Sequence, residues 1–192
     1  AYDVGDLRSA KGIAEGVSNS NWLIETEREH ASQRFILTVF EARTEADDLP
    51  YFLSLLDHLA AKGLPVPRTI HTRDGALMRE ARGKPCALIE FLPGVSVDEP
   101  EPAQARAVGI ALADLHLAAA DFPQSRASSL SLPICVEMLR DNADRFDEID
   151  PQLATIIPDC GAGVLERWPT NLPEGTIHSD LFPDNVLSVG DR

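Results

Sequence analysis

A mixed α+β fold in two lobes is predicted by three features of this 192-residue sequence. β-Branched and aromatic runs mark much of its first half, helical periodicity fills most of the second, and a polar, turn-rich loop stands near its end. The expected division is a small β-rich N-terminal lobe over residues 1–92 and a larger, mainly helical C-terminal lobe over residues 93–192.

The elements follow in order. Residues 12–21 are small and polar, with Gly16 in their middle. Such a loop presents backbone N–H groups to an anion without Cβ obstruction, and Ser18, Asn19 and Asn21 add hydroxyl and amide groups. Residues 22–26 and 35–40 are β-branched and aromatic runs separated by a polar stretch, which predicts a hairpin. A helix is predicted over residues 48–62, with Asp47 or Asp48 as cap, Pro50 in the first turn and Gly63 as the stop. Its inward face is Leu49, Phe52, Leu53, Leu56, Leu59 and Ala60. Two strands are expected at residues 77–80 and 87–91, joined by the turn-prone Arg82-Gly83-Lys84-Pro85, and the second runs into Leu92-Pro93-Gly94.

The helical section opens near residue 95. From residue 103 to 120, Ala105, Val108, Leu112, Leu115 and Ala119 recur at helical spacing, with Glu99 and Glu101 ahead of the positive helix end. His116 reads as a packing histidine with its hydrogen bonds satisfied. A second helix is expected over residues 134–146, and a third opens at Pro151 with a break or kink at Pro158 or at Gly161 and Gly163. Trp168-Pro169 ends the section.

Composition narrows the function. A net charge of −14 argues against nucleic acid, which demands a basic face. Cys86, Cys135 and Cys160 are odd in number and too widely spaced for a zinc knuckle, which fits buried free thiols in a reducing cytoplasm. No apolar stretch is long enough to span a bilayer.

The chemistry is concentrated in Thr176-Ile177-His178-Ser179-Asp180-Leu181-Phe182-Pro183-Asp184-Asn185-Val186-Leu187. An apolar residue, His-x-Asp, an Asn five positions after that Asp and a β-branched run describe a loop between two strands carrying a carboxylate and a carboxamide. Phosphoryl transfer from ATP needs that pair: one group accepts the proton of an attacking hydroxyl, the other helps hold the Mg2+ that screens the phosphates. Asp180 and Asn185 stand at the Asp-to-Asn spacing of the protein-kinase catalytic loop. His178 is expected to hold the loop in shape by hydrogen bonding to backbone. Asp184 has two readings, facing the substrate or capping the turn at Pro183.

This loop resembles the catalytic loop of the aminoglycoside and choline phosphotransferase family, and most of all that of its bacterial homoserine kinases. The likeness extends through residues 12–21 and 34–41, Gly63-Leu64-Pro65-Val66-Pro67-Arg68, Phe91-Leu92-Pro93-Gly94 and Leu112-Ala113-Asp114-Leu115-His116. It implies a protein-kinase-like α+β fold that binds Mg·ATP and phosphorylates the hydroxyl of L-homoserine, a small-molecule substrate. In that frame Asp180 is the base and Asn185 a magnesium ligand. Gly16, Ser18, Asn19 and Asn21 cover the phosphates, and backbone groups near Glu90 and Leu92 meet the adenine edge. Choline, an aminoglycoside or another amino alcohol is the alternative acceptor, and a non-catalytic nucleotide-binding pseudokinase the alternative role.

Two departures from the family pattern stand out. The family usually has Gly where Ser179 sits. Thr38 occupies the third-strand position of the phosphate-binding lysine, leaving Arg34, Arg43 or Lys11 as possible sources of charge. The sequence also stops at Gly190-Asp191-Arg192, before the segment that carries the family's second magnesium-binding Asp, and is expected to be a fragment of the functional protein.

Overall fold

The computed structural model describes residues 1–14, 19–41 and 46–190. Its contacts divide the chain into two compact units, residues 1–125 with 175–192, and residues 126–174. The expected lobe boundary after Leu92 falls inside the first unit.

The first unit is built on a six-stranded antiparallel sheet. Strands β1 (Asp6–Ile13), β2 (Asn19–Arg28), β3 (Ala31–Phe40), β4 (Thr69–Ile70), β5 (Arg79–Ala81) and β6 (Lys84–Glu90) lie in the order β1-β2-β3-β6-β4, with β5 also paired to β6. The predicted hairpin is β2–β3, in register from Asn19↔Phe40 to Arg28↔Ala31. Its two-residue turn places both Glu29 (φ 51°) and His30 (φ 67°) in the left-handed region, the conformation whose twist matches the flanking strands. Arg82 (φ 54°) and Gly83 (φ 77°) close β5–β6 in the same way.

Helix α1 (Leu49–Ala61) follows a short 3-10 turn at Ala46–Asp48. Leu49, Leu53 and Leu59 are buried, whereas Phe52, expected inward, is 42% exposed and stands edge-on to Tyr51. Gly63 ends the helix at φ +81°, which a residue with a Cβ adopts only under strain. Asp57 ties α1 to the sheet by accepting from the Thr69 N–H at 2.9 Å and pairing with His71 at 2.5 Å.

Helix α2 (Pro102–Ala119) begins with a capping box in which the Glu101 N–H donates to Gln104 Oε1 at 2.9 Å. At its other end Lys62 donates to the Ala118 carbonyl at 2.7 Å, and Lys62 and His58 both bind Asp121. The Lys62 ammonium, with help from His58, holds the Asp121 carboxyl below the usual carboxylate range. His116 departs from expectation: its Nε2 is buried without a hydrogen-bond partner among the described residues.

The second unit holds helices α3 (Leu132–Asp141), α4 (Phe146–Ile149) and α5 (Leu153–Glu166). The helix expected over residues 134–146 stops at Asp141, because the Asn142 side chain donates to the Met138 carbonyl at 2.8 Å and takes the place of a continuing backbone bond. Conversely, α5 runs unbroken through Pro158, Gly161 and Gly163. Proline there removes a single donor in the second turn, and the remaining bonds carry the helix on. An apolar cavity of about 660 Å³ lies in this unit among Leu132, Val136, Leu139, Phe146, Ile157 and Trp168, and Arg140 is its sole charged lining residue, so it does not suit a polyphosphate. The three cysteines are free, but only Cys86 is buried, and Cys160 is exposed.

Candidate active site

The loop bearing Asp180 and Asn185 belongs to the first unit, and its own turn brings the pair together. Phe182 is extended (φ −81°, ψ 160°), and Pro183 opens a 3-10 turn, Pro183–Asn185, with its ring-fixed φ. The Asn185 N–H donates to the Phe182 carbonyl at 3.0 Å and the Val186 N–H to Pro183 at 3.2 Å. This carries the Asn185 side chain back over Asp180: its Nδ2 donates to the Asp180 carbonyl at 2.8 Å and to Asp180 Oδ2 at 3.2 Å. One amide thus fixes both the backbone and the carboxylate of Asp180. Asp180 Oδ1 and Asn185 Oδ1 are left without partners among the described residues.

The strands expected on either side of the loop do not form. Among the described residues, the strand-like pairing of residues 186–189 is a single antiparallel bridge to Val95, in which Val95 N–H donates to Ser188 O at 3.1 Å and Ser188 N–H to Val95 O at 2.9 Å. Gly94 permits that contact. It stands at φ +151°, and a Cβ there would lie 2.8 Å from Leu187 Cβ and 3.3 Å from the Ser188 carbonyl. Ser96 Oγ reaches the Asp184 carbonyl at 3.5 Å, and Tyr51 on α1 meets Thr176 hydroxyl to hydroxyl at 3.3 Å. Sequence reasoning missed this Tyr51 contact, which joins residues 125 positions apart.

His178 does not hold the loop: its ring is exposed and makes no hydrogen bond among the described residues, so the shape rests on Asn185 and the Val95 bridge. The Asp184 side chain does not cap the turn either. Ser179 stands at φ +68°, which explains why glycine suits the position. Ser179→Gly is expected to stabilise the protein by about 0.5–1 kcal/mol, the relief of left-handed strain less the added freedom of the unfolded chain, whereas Ser179→Val should destabilise it. Thermal unfolding of the two variants measures this; a lower melting temperature for Ser179→Gly would refute it.

At the sheet, Gly16, Ser18 and Arg43 lie outside the described residues. Asn19 and Asn21 begin β2. Asn19 Oδ1 accepts the Glu41 N–H at 3.3 Å, closing the end of the hairpin. Asn21 pairs with Thr38, whose hydroxyl donates to Asn21 Oδ1 at 2.9 Å. Cross-strand partners share a face, so the register places Asn21, Thr38 and Ala87 in one row and Leu23, Ile36 and Ile89 in the next. The second row is a half-buried apolar strip beside the strand end that leads to Leu92, and alternation along β2 and β3 was its only sequence signal.

The other proposed positions are partly engaged. The Glu90 N–H donates to the Arg68 carbonyl at 2.9 Å, and the Glu90 carboxylate accepts the Arg68 N–H at 3.2 Å. Glu90 is therefore not free to donate its N–H, while the Leu92 N–H is unpaired among the described residues. Of the candidate cations, Arg34 stacks on Phe91 with its guanidinium carbon 4.1 Å from the ring centroid. Lys11 is exposed in β1 opposite Leu23. Lys84 is committed to Glu41 and, with Ser20, keeps that carboxyl below its ordinary range.

Comparison with known proteins identifies the family. The family model described as "Phosphotransferase enzyme family" matches residues 9–192. The homoserine kinase of Methylocella silvestris is 49% identical over 192 residues, which is 100% of this chain and 58% of that protein. That of Sinorhizobium fredii is 47% identical over the same span, again 58% of its length. The chain therefore spans less than two thirds of these relatives. Among solved structures, a spectinomycin phosphotransferase in complex with ADP and spectinomycin superposes with a TM-score of 0.67 at 17% identity, covering 97% of this chain and 61% of that one. An aminoglycoside phosphotransferase from Alicyclobacillus acidocaldarius gives a TM-score of 0.53 at 16% identity over 86% of this chain and 50% of its own. These two share the mixed α+β fold of a kinase-like phosphotransferase. On the family match across nearly its whole length, the chain belongs to the phosphotransferase enzyme family.

Proposed function

We propose that the full-length protein is a homoserine kinase, transferring the γ-phosphoryl group of ATP to the side-chain hydroxyl of L-homoserine. The observation that carries the choice of acceptor is the 44–49% identity, over essentially the whole chain, to curated homoserine kinases. The Asp180–Asn185 pair supports the chemistry. Asp180 orients the acceptor hydroxyl and takes its proton as the new P–O bond forms and the bond to ADP breaks. The amide of Asn185 keeps that carboxylate in place.

Mg2+ fits the oxygen chemistry of this loop. Asn185 Oδ1 and Asp180 Oδ1 are hard acceptors without partners among the described residues, and magnesium is commonly held by one or two protein oxygens together with substrate phosphates. Among the described residues no cluster of three acidic, His or Cys side chains offers a fuller cage. When bound, the ion would screen the phosphates, with Asn185 as its ligand. In this reading Gly16, Ser18, Asn19 and Asn21 line the phosphates, Leu23, Ile36 and Ile89 cover the base, and the Glu90 carbonyl and Leu92 N–H meet its edge. Residues 1–92 form the nucleotide lobe and residues 93–192 the helical lobe with the catalytic loop. The reading places the enzyme in the cytoplasm; no helix among the described residues is long and apolar enough to cross a membrane.

With Mg·ATP, the full-length protein is expected to release ADP with L-homoserine well above its rate with choline, aminoglycosides or L-serine. Equal turnover on one of those would replace the acceptor and keep the kinase. ATP binding without turnover on any of them would favour the nucleotide-binding pseudokinase, the reading that Thr38 in place of lysine motivates.

A further inference from the structure

We propose that Thr38 and Asn21 together replace the lysine that kinase-like folds carry on this strand: Thr38 is a positioning residue, and the Asn21 carboxamide is a neutral donor to a phosphate oxygen of ATP. The inference rests on the nucleotide reading above. Its basis is a single geometry. Thr38 is only 8% exposed, and its hydroxyl donates to Asn21 Oδ1 at 2.9 Å. A carboxamide has one accepting end and one donating end, so engaging Oδ1 leaves Nδ2 as the free donor, and Nδ2 has no partner among the described residues. Asn21 also pairs with Ile13 on β1, so it stands where β1 and β2 meet the intervening loop that is the expected phosphate cover.

Among the described residues, the cations nearby do not fill the role. Arg34 lies over Phe91, and Lys84 is held by Glu41, which also accepts from Ser20, a β2 residue that alternates to the face opposite Asn21. Lys11 shares the Asn21 face but sits one row farther from the loop, opposite Leu23. The row nearest the loop offers a hydroxyl and an amide. Threonine at residue 38 sets the Asn21 amide by one hydrogen bond.

The test uses the full-length protein. Thr38→Val keeps the shape and removes the hydroxyl, so ATP affinity should fall about tenfold, the usual scale for an orienting hydrogen bond to a group that binds charge. Adenosine, lacking phosphates, should bind as it does to the unaltered protein, which a merely structural role for Thr38 would not allow. Thr38→Ser should restore ATP affinity, Asn21→Ala should match Thr38→Val, and the double variant should bind no worse than Asn21→Ala. Unchanged ATP affinity in both Thr38→Val and Asn21→Ala would overturn the proposal, as would equal losses for ATP and adenosine. Loss confined to Lys11→Met would hand the role to that lysine. Failure of the unaltered protein to bind ATP would instead overturn the nucleotide reading itself.

Discussion

Asp180→Asn in the full-length enzyme is expected to lower turnover by roughly two to four powers of ten, the usual contribution of positioned acid–base catalysis, while ATP affinity changes little. The structure explains why this variant isolates the proton. The Asn185 amide is anchored first by the Asp180 backbone carbonyl at 2.8 Å, and that bond survives any change of side chain. The turn through Pro183 and the bridge between Val95 and Ser188 also persist. An asparagine at residue 180 keeps the size of the aspartate but cannot take the proton of an attacking hydroxyl. Steady-state kinetics and an ATP titration on the same preparation measure the two quantities. Near-normal turnover would remove Asp180 as the base and with it the proposed mechanism.

The parts of the fold that were legible in the sequence are those with a local cause. Helix α1 shows its start in Pro50 and its stop in Gly63, and α2 shows itself in the helical recurrence of Ala105, Val108, Leu112, Leu115 and Ala119. The β2–β3 hairpin is marked by two runs of β-branched and aromatic residues. Strand β1 is different: residues 6–12 are exposed, carry no apolar run, and are extended because they pair with β2. The two-residue β4 likewise exists through its pairing with β6. Proline and glycine in α5 and the run after Asn185 misled for the same reason. Local preference there is weak against what the rest of the chain offers, one lost donor in the first case and, among the described residues, a single bridge to Val95 in the second.

The candidate site divides along the same line. Asp180 and Asn185 were readable because a five-residue spacing closed by a proline turn is a local device. The contact between Tyr51 and Thr176 was not, and neither was the apolar row of Leu23, Ile36 and Ile89, since both depend on tertiary register. Thr38 was visible as a missing lysine, but its hydrogen bond to Asn21 required the strands to be in place. His178 shows the converse. Its position beside the motif suggested a scaffold, yet the loop is held from Asn185 and Gly94, and the imidazole is left in solvent.

Asn185 is asked to do two jobs, and two variants separate them. Its Nδ2 holds Asp180, and its Oδ1 is the proposed magnesium ligand. Asn185→Ala removes both, so turnover should fall and the magnesium concentration for half-maximal rate should rise, each by about 10–100-fold, the scale seen when a metal ligand's supporting contacts are lost. Asn185→Asp keeps an oxygen for the ion and gives it a full charge, so the magnesium requirement should stay near that of the unaltered enzyme. It cannot donate to Asp180, however, and two carboxylates at hydrogen-bond distance repel each other. Turnover of Asn185→Asp should therefore remain low, because the carboxylate of Asp180 is no longer fixed and is repelled by its neighbour. Magnesium titrations of the two variants check this. An Asn185→Asp enzyme as active as the unaltered protein at neutral pH would mean that the bond to Asp180 contributes nothing to catalysis, and an unchanged magnesium requirement in Asn185→Ala would remove Asn185 as a ligand.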